Sequence, residues 1–273
     1  MNDKQTIQGL WVGSTLPTMQ RLSISSFLAH GHNYHLYAYE DLTEVPEGAE
    51  LKDASEILPT SRVVLNSTHN TFAAPFSDKF RYRLLLEKGG WWADTDVICL
   101  RPFDFRSEYV FSAEHRIPHG AVREVATITV MKATRGAQFL EALYDSCVKL
   151  GTVDLEWNDA GSTLLGSKID EFSLHASIQR AVTFCPIPMN LYDTVLNPNL
   201  QFIFEPATYA VHLWHELWRR NGLNTDKSFP ASSLYEQFKA IFLDKARTGT
   251  SLPFIVEQDC NHPTPGRLVS TPK

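Results

Sequence analysis

The chain reads as an α/β protein with one central, mostly parallel sheet flanked by helices. Three observations carry that reading. Residues 7–12, 17–30 and 33–39 alternate strand, helix and strand, and a β-α-β opening favours parallel pairing. Residues 78–88 form a helical stretch, Gly89-Gly90 stops it, and the apolar strand 91–93 follows. The chain has 273 residues and 43% hydrophobic content, enough for one sizeable core.

In order, residues 7–12 are a short strand ended by Gly13-Ser14. The helix over 17–30 places Met19, Leu22, Phe27 and Leu28 at helical spacing, and Gly31 stops it. Residues 33–39 alternate as a second strand. The acidic stretch 40–56 reads as a solvated loop leading to a short helix over 55–58, which Pro59 ends. After the helix over 78–88 and the strand 91–93 come strands over 109–113 and 126–131. An amphipathic helix over 137–150 turns Phe139, Leu140, Leu143 and Val148 inward. Short helices are expected over 164–169 and 175–180, strands over 184–189 and 208–213, and a helix over 232–243. Residues 1–259 form one domain, and the Pro-, Thr- and Ser-rich segment 260–273 reads as a flexible tail.

Composition excludes several classes. A net charge of −6 with no Lys/Arg cluster argues against a nucleic-acid surface. Cys99, Cys147, Cys185 and Cys260 are scattered without a Cys-x-x-Cys pair, which argues for reduced thiols in the cytosol rather than structural zinc. No apolar run reaches membrane-spanning length and no signal peptide is recognised, so a soluble chain, or a catalytic domain cut from a longer one, is expected. Asn66-Ser67-Thr68 is a glycosylation sequon that matters only in a secretory compartment. His30, His32 and His35 are read as scattered structural histidines rather than a metal cluster.

Chemistry concentrates in residues 77–96. Asp94 and Asp96 follow an apolar strand one residue apart, and strand alternation aims both at one spot. Two hard oxygen donors there suit a divalent cation that shares its remaining positions with water and phosphate. Taken alone, the pair also fits a solvated turn. Upstream, Asp78 and Arg81 lie one helical turn apart on one face. In open α/β sheets ligands sit beyond the carboxyl ends of strands, so residues 11–14 and Asp94 and Asp96 would border one crevice.

The run Ser77-Asp78, Arg81-Tyr82, Gly89-Gly90, Asp94-Thr95-Asp96 resembles the sugar-binding region of glycosyltransferase family 32, whose members carry a DXD motif. The resemblance implies a GT-A type domain, a Mn²⁺ or Mg²⁺ cofactor, and transfer of a sugar with retention from a nucleotide donor, UDP-linked by expectation. The acceptor would be a carbohydrate such as a polysaccharide, or a glycolipid, as in bacterial relatives; many eukaryotic relatives carry a signal anchor that is not seen here, so a bacterial enzyme of the cytoplasm, free or peripheral to the inner membrane, is expected. Asp96 would contact the metal, and Asp94 the donor sugar or the metal through water. Asp78 would accept from sugar hydroxyls. Arg81 would grip sugar or diphosphate oxygens with its fork, or else the two form a helix-start carboxylate and a surface ion pair. Tyr82 is expected to pack.

Trp11-Val12-Gly13 is similar to the family's first-strand motif. Trp11 would stack on the base and the Val12 backbone would read its edge, against the alternative of a core tryptophan. His212-Leu213-Trp214 resembles the late His-x-Trp stretch. His212 would reach the metal or diphosphate, with His215 as the rival ligand, and Trp214 or Trp218 would close over the donor. A half-buried aromatic cluster is the other reading. Asp159, in Asn158-Asp159-Ala160-Gly161-Ser162, would bind donor or acceptor hydroxyls, although Ser162 stands where the family has proline. Two other functions share these residues: a metal-dependent hydrolase of sugar nucleotides, and a binding protein without turnover.

Overall fold

The computed structural model describes residues 5–59, 73–117, 121–151, 158–244 and 269–270. The sequon at Asn66 and Cys260 lie outside them. A six-stranded sheet runs in the order β3-β2-β1-β4-β7-β6. Its strands are β1 (Thr6–Trp11), β2 (Asn33–Ala38), β3 (Ala49–Asp53), β4 (Gly90–Ala93), β6 (Val110–Arg116) and β7 (Arg123–Ala133). β3, β2, β1 and β4 are mutually parallel, while β7 is antiparallel to both β4 and β6. β6 therefore runs in the same direction as β4.

The β-α-β opening is present, with α1 (Thr18–Ala29) between β1 and β2. β3 corrects the expected acidic loop. Its polar Glu50 and Lys52 sit on a sheet edge, where charge hinders further pairing. Only one 3₁₀ turn, Ala54–Glu56, remains of the short helix, with the Asp53 carboxylate accepting from Ser55 N at 2.8 Å.

The sequence reading also missed β5 (Val97–Cys99), which pairs antiparallel with β9 (Ala210–His212). The other side of β5 faces α1. Ser23 Oγ donates to Val97 O at 2.7 Å, and Ser26 Oγ accepts from Cys99 N at 2.8 Å. Helix hydroxyls thus stand where a partner strand would satisfy the backbone, which accounts for the fully buried serines of α1.

α2 (Ala73–Lys88) and α3 (Gln138–Leu150) pack on the opposite face from β5 and β9, around Phe80, Tyr82, Leu85, Trp92 and Phe139. α3 buries Phe139, Leu140 and Leu143 as expected, but Val148 is 44% exposed and Cys147 takes the inward place. α4 (Leu164–Glu171) forms, while 175–180 holds only the 3₁₀ turn His175–Ser177. The strand expected over 184–189 is not one. α5 (Ala181–Phe184) ends there, and the chain crosses Pro186 and Pro188, which have no N–H for a ladder, to the 3₁₀ stretch Met189–Leu196. α6 (His215–Arg220) and α7 (Leu234–Phe242) complete the C-terminal part. Val269–Ser270 (β10) pairs with Leu200–Gln201 (β8), so the expected loose tail is held at that point. Among the described residues no helix is long and apolar enough to cross a membrane.

Two local features position the edge of β4. Gly89, at φ +65°, ends α2, and a Cβ there would lie 2.6 Å from Arg135 N. Gln8 Nε2 donates to Gly89 O at 2.8 Å and Trp91 O at 3.2 Å, so β1 holds the start of β4. At the other end β7 bulges. Phe111 pairs with Met131 but Ser112 pairs with Thr127. Ser112 Oγ donates to Thr127 O at 2.9 Å and accepts from Val130 N at 3.0 Å, replacing ladder bonds that the bulge breaks.

Gly89→Ala must combine a left-handed backbone with a clash against backbone. We expect a loss of about 2 kcal/mol or more in urea unfolding. A loss below about 0.5 kcal/mol, the range of neutral surface changes, would show that the turn relaxes and that the glycine stop does not set β4.

Candidate active site

Asp94 and Asp96 do not continue the strand. They lie in a turn that Val97 N closes on Asp94 O at 3.1 Å. Each is tied to a different sheet: Asp94 N donates to Thr129 O at 2.9 Å, extending β4–β7, and Leu213 N donates to Asp96 O at 2.9 Å, extending β5–β9. The two carboxylates still converge, because the two ladders meet at this turn. With His212, at the end of β9, they offer two oxygens and a nitrogen that all lie within 4.8 Å of one another. Such an O,O,N set fits Mn²⁺ or Mg²⁺ completed by water and phosphate oxygens.

Charges are balanced one by one. Asp96 Oδ2 lies 3.2 Å from His212 Nε2 and accepts from His215 N at 2.7 Å. Burial alone would raise the Asp96 carboxyl, but His212 outweighs it and holds it down to about 2. Burial works against the His212 imidazolium, and Asp96 reverses that, keeping the ring protonated well above its ordinary range. Among the described residues His212 Nδ1 has no hydrogen-bond partner, and the Cys185 thiol lies beside the ring. Burial raises the Cys185 thiol, His212 opposes the rise, and the Glu114 and Asp94 charges add to it.

Asp94 is matched by Arg81. Its Oδ1 accepts from Arg81 Nη1 at 2.8 Å and from Trp92 Nε1 at 2.9 Å, so both of these bonds fall on one oxygen. Burial pushes the Asp94 carboxyl up, Arg81 opposes this, and Asp96 adds to it. Arg81 does not reach outward as the resemblance implied. Its side chain is 6% exposed, lies 4.7 Å from the Trp92 ring centroid, and also binds Asp78 Oδ1 at 3.1 Å, Ser77 Oγ at 3.1 Å and Ile128 O at 2.9 Å. The surface ion pair fails equally: the guanidinium is a buried bridge between Asp78 and Asp94, and its contact with Ile128 O satisfies a carbonyl freed by the β7 bulge. Burial lifts the Asp78 carboxyl to about 6 despite Arg81.

The 158–162 segment packs on this bridge. A Cβ on Gly161 would lie 3.3 Å from Asp78 Oδ2, and Tyr82, buried as expected, donates from its hydroxyl to Ala160 O at 2.8 Å. Ser162, at the proline position, directs its hydroxyl to Thr127 Oγ1 at 3.3 Å. Asp159 is half-buried on this segment. Trp11 borders the opposite side, 6.0 Å from the His215 ring, with Nε1 donating to Thr15 O; Val12 is 38% exposed.

Trp214 and Trp218 part company. Trp214 lies tilted against His212 with ring centroids 4.1 Å apart, donates to Ile187 O at 2.9 Å, and takes a left-handed backbone (φ +60°) that turns His212 and the His215 amide onto Asp96. Such strain in a bulky residue persists only where packing enforces it. Trp218 is fully buried against Phe229 and Tyr235 and presents no face to a ligand, which corrects its expected role over the donor. His30, His32 and His35 stay apart: His30 binds Ser26 O, His32 sits between Gln5 O and Phe103 N, and His35 lies near Glu50. Sequence reasoning missed Tyr34, whose buried hydroxyl has no partner among the described residues and sits beside Gly9, within the field of Asp94 and Asp96. A glycine in the middle of an apolar strand was its only signal.

Over residues 17–112 the chain matches the family described as the glycosyltransferase sugar-binding region containing a DXD motif. No curated protein matches it. Among solved structures, the PaToxG glycosyltransferase aligns at 13% identity over 87% of this chain and 86% of that one, with a TM-score of 0.45. The glycosyltransferase GlyE of Streptococcus pneumoniae TIGR4 aligns at 16% identity over 65% of this chain and 45% of that one, with a TM-score of 0.40.

Because His212 is protonated beside Asp96, a cation at its Nε2 must displace a proton. Mn²⁺ affinity is expected to rise with pH, up to about tenfold per unit. Calorimetry in buffers of different ionisation enthalpy should show proton release, and His212→Gln should remove it; affinity flat from pH 6 to 8 would take His212 out of the set. Arg81→Met should strand two buried carboxylates and lower stability by about 3–5 kcal/mol. Unchanged thermal unfolding would show that the guanidinium is not the bridge.

Proposed function

We propose that this chain is a DXD-type glycosyltransferase, a reading that the match over residues 17–112 supports, and that it moves a sugar from a UDP-linked donor to a hydroxyl of a polysaccharide or glycolipid, with retention at the anomeric carbon and with Mn²⁺ or Mg²⁺ bound. The observation that carries the proposal is the convergence of Asp94, Asp96 and His212 at the carboxyl edge of β4, where open α/β sheets bind ligands.

Each residue then has a task. Trp11, at the carboxyl end of β1, offers its indole face to the base, and the exposed Val12 backbone its edge. Asp78 and Asp94 Oδ2 accept from donor-sugar hydroxyls, their positions set by Arg81. Asp96 and His212, with Asp94, hold the cation, which supplies positive charge against the leaving diphosphate. Trp214 covers His212 and helps exclude water. Asp159 orients a hydroxyl from the side of Asp78. None of these carboxylates is placed as an isolated nucleophile, which favours a front-face route. In it the acceptor oxygen bonds to the anomeric carbon, the bond to the diphosphate breaks, and the acceptor's proton passes to the leaving phosphate. The protein contributes position and preorganised charge. We extend the proposal to a bacterial cytoplasmic enzyme working at the inner membrane; buried free Cys99, Cys147 and Cys185 accord with a reducing compartment.

Asp96→Asn keeps an acceptor for the His215 amide while removing the charge. It should lower Mn²⁺-dependent cleavage of UDP-sugars by about 10²-fold or more and abolish Mn²⁺-dependent UDP binding in calorimetry. Equal UDP binding by the unmutated protein in Mn²⁺ and in EDTA would defeat the cation assignment. Free sugar as the sole product across a broad acceptor panel would make the protein a hydrolase.

A further inference from the structure

β6 and β7 run past the end of β4. Ala93, the last residue of β4, pairs with Val130, whereas Glu114 and Arg116 of β6 pair with Val125 and Arg123. Because β6 runs in the same direction as β4, this projection rises from the edge that carries Asp94 and Asp96. The β7 bulge lies at its base.

Side chains alternate along β6, so Val110, Ser112, Glu114 and Arg116 share one face. Val110 packs in the cluster that contains Phe184 and Cys185, and Cys185 stands against His212. Glu114 is thus on the face of the sheet that carries the Asp96–His212 pair. Its charge reaches Cys185, as those of His212 and Asp94 do.

Glu114 is 5% exposed, and its Oε1 accepts from Arg116 Nε at 2.6 Å. Arg116 Nη2 donates to Asn158 Oδ1 at 3.3 Å. Asn158, with φ +88°, starts the turn that carries Asp159 and lays Gly161 on Asp78. A polar rim therefore runs from Asp78 through the 158–161 turn to Arg116 and Glu114, across the opening from Trp11.

Nothing in the donor chemistry uses this pair. Burying the Glu114 carboxylate at a sheet edge carries a desolvation penalty that hydrogen bonds must offset, while the Arg116 side chain, 30% exposed, keeps part of its fork open to a ligand. Paired sugar hydroxyls complement the pair, donating to the carboxylate while accepting from the guanidinium. We propose that Glu114, Arg116 and Asn158 form the acceptor subsite and bind two neighbouring hydroxyls of a pyranose, turning a third toward the donor carbon. This rests on the glycosyltransferase reading. The donor-side residues lie on β1, α2 and the turn after β4; the subsite lies beyond β7, with the anomeric carbon between the two.

The test is steady-state kinetics with Mn²⁺, the UDP-sugar that the protein cleaves, and a panel of methyl pyranosides. Glu114→Gln should raise the acceptor KM by about 10- to 100-fold, while the donor KM and the Mn²⁺ requirement stay within about twofold. Arg116→Lys, which keeps the charge and loses the fork, should shift the acceptor KM in the same direction. Asn158→Ala removes the outermost contact and serves if Glu114→Gln does not fold. A folded Glu114→Gln with unchanged acceptor KM, or with its defect in the donor KM, overturns the subsite and leaves the glycosyltransferase reading standing. Donor cleavage without transfer to any methyl pyranoside also overturns the subsite. No cleavage of any nucleotide sugar overturns the glycosyltransferase reading and the subsite with it.

Discussion

Two carboxylates one residue apart, Asp96 buried and Asp94 half-buried, repel each other unless each has its own cation. That constraint organises the centre of the molecule. Asp96 takes the imidazolium of His212 and the amide of His215; Asp94 takes Arg81, which also compensates Asp78. The two arrangements differ in a useful way. The charge that Arg81 brings to its bridge does not depend on pH, since a guanidinium keeps its proton. The His212 pairing could be exchanged, because an imidazolium can lose its proton to solvent and offer the freed nitrogen to a cation, with Asp96 remaining the counter-charge.

Exchange of that kind requires geometry set by backbone rather than by the ligands. Asp94 is stitched to β7 and Asp96 to β9, so the DXD turn joins the main sheet to the β5–β9 pair. The left-handed turn at Trp214 and the β7 bulge are departures from regular structure, and both border this joint. Each is compensated by side chains: Ser112 and Arg81 satisfy the bulge, and Trp214 is locked by Ile187 O and the His212 ring. Strain and bulges beside a site re-aim side chains that a regular strand would point elsewhere.

The same layout explains why the opening has two sides of different character. The Trp11 indole and the exposed Val12 lie on one side; a rim of carboxylate, guanidinium and amide at Glu114, Arg116 and Asn158 lies on the other. A planar base suits the first and a polyol the second. Between them lies the Asp78–Arg81–Asp94 bridge, whose carboxylates are hydrogen-bond acceptors.

Much was legible in the sequence. The β-α-β opening, the Gly89-Gly90 stop and the strand before Asp94 follow from local periodicity and turn chemistry, and the spacing of Asp78, Arg81, Asp94 and Asp96 marked the site. What escaped depends on partners remote in sequence. β5 is three residues long and exists because β9 and the α1 serines satisfy its backbone. β3 looked like a charged loop because edge strands carry charge. Residues 184–189 looked like a strand because apolar content alone does not show missing ladder donors. Arg81 faced inward rather than toward the ligand because the β7 bulge supplied a carbonyl and Asp94 a carboxylate, neither visible from its own helix. Trp214 and Trp218 look alike in sequence, one turn apart, and only the packing of α6 sends one to the site and the other to the core. Local chemistry thus determined which residues were present and in what order. Long-range pairing decided which of them face the crevice, because hydrogen-bond and charge compensation there come from strands joined only in three dimensions.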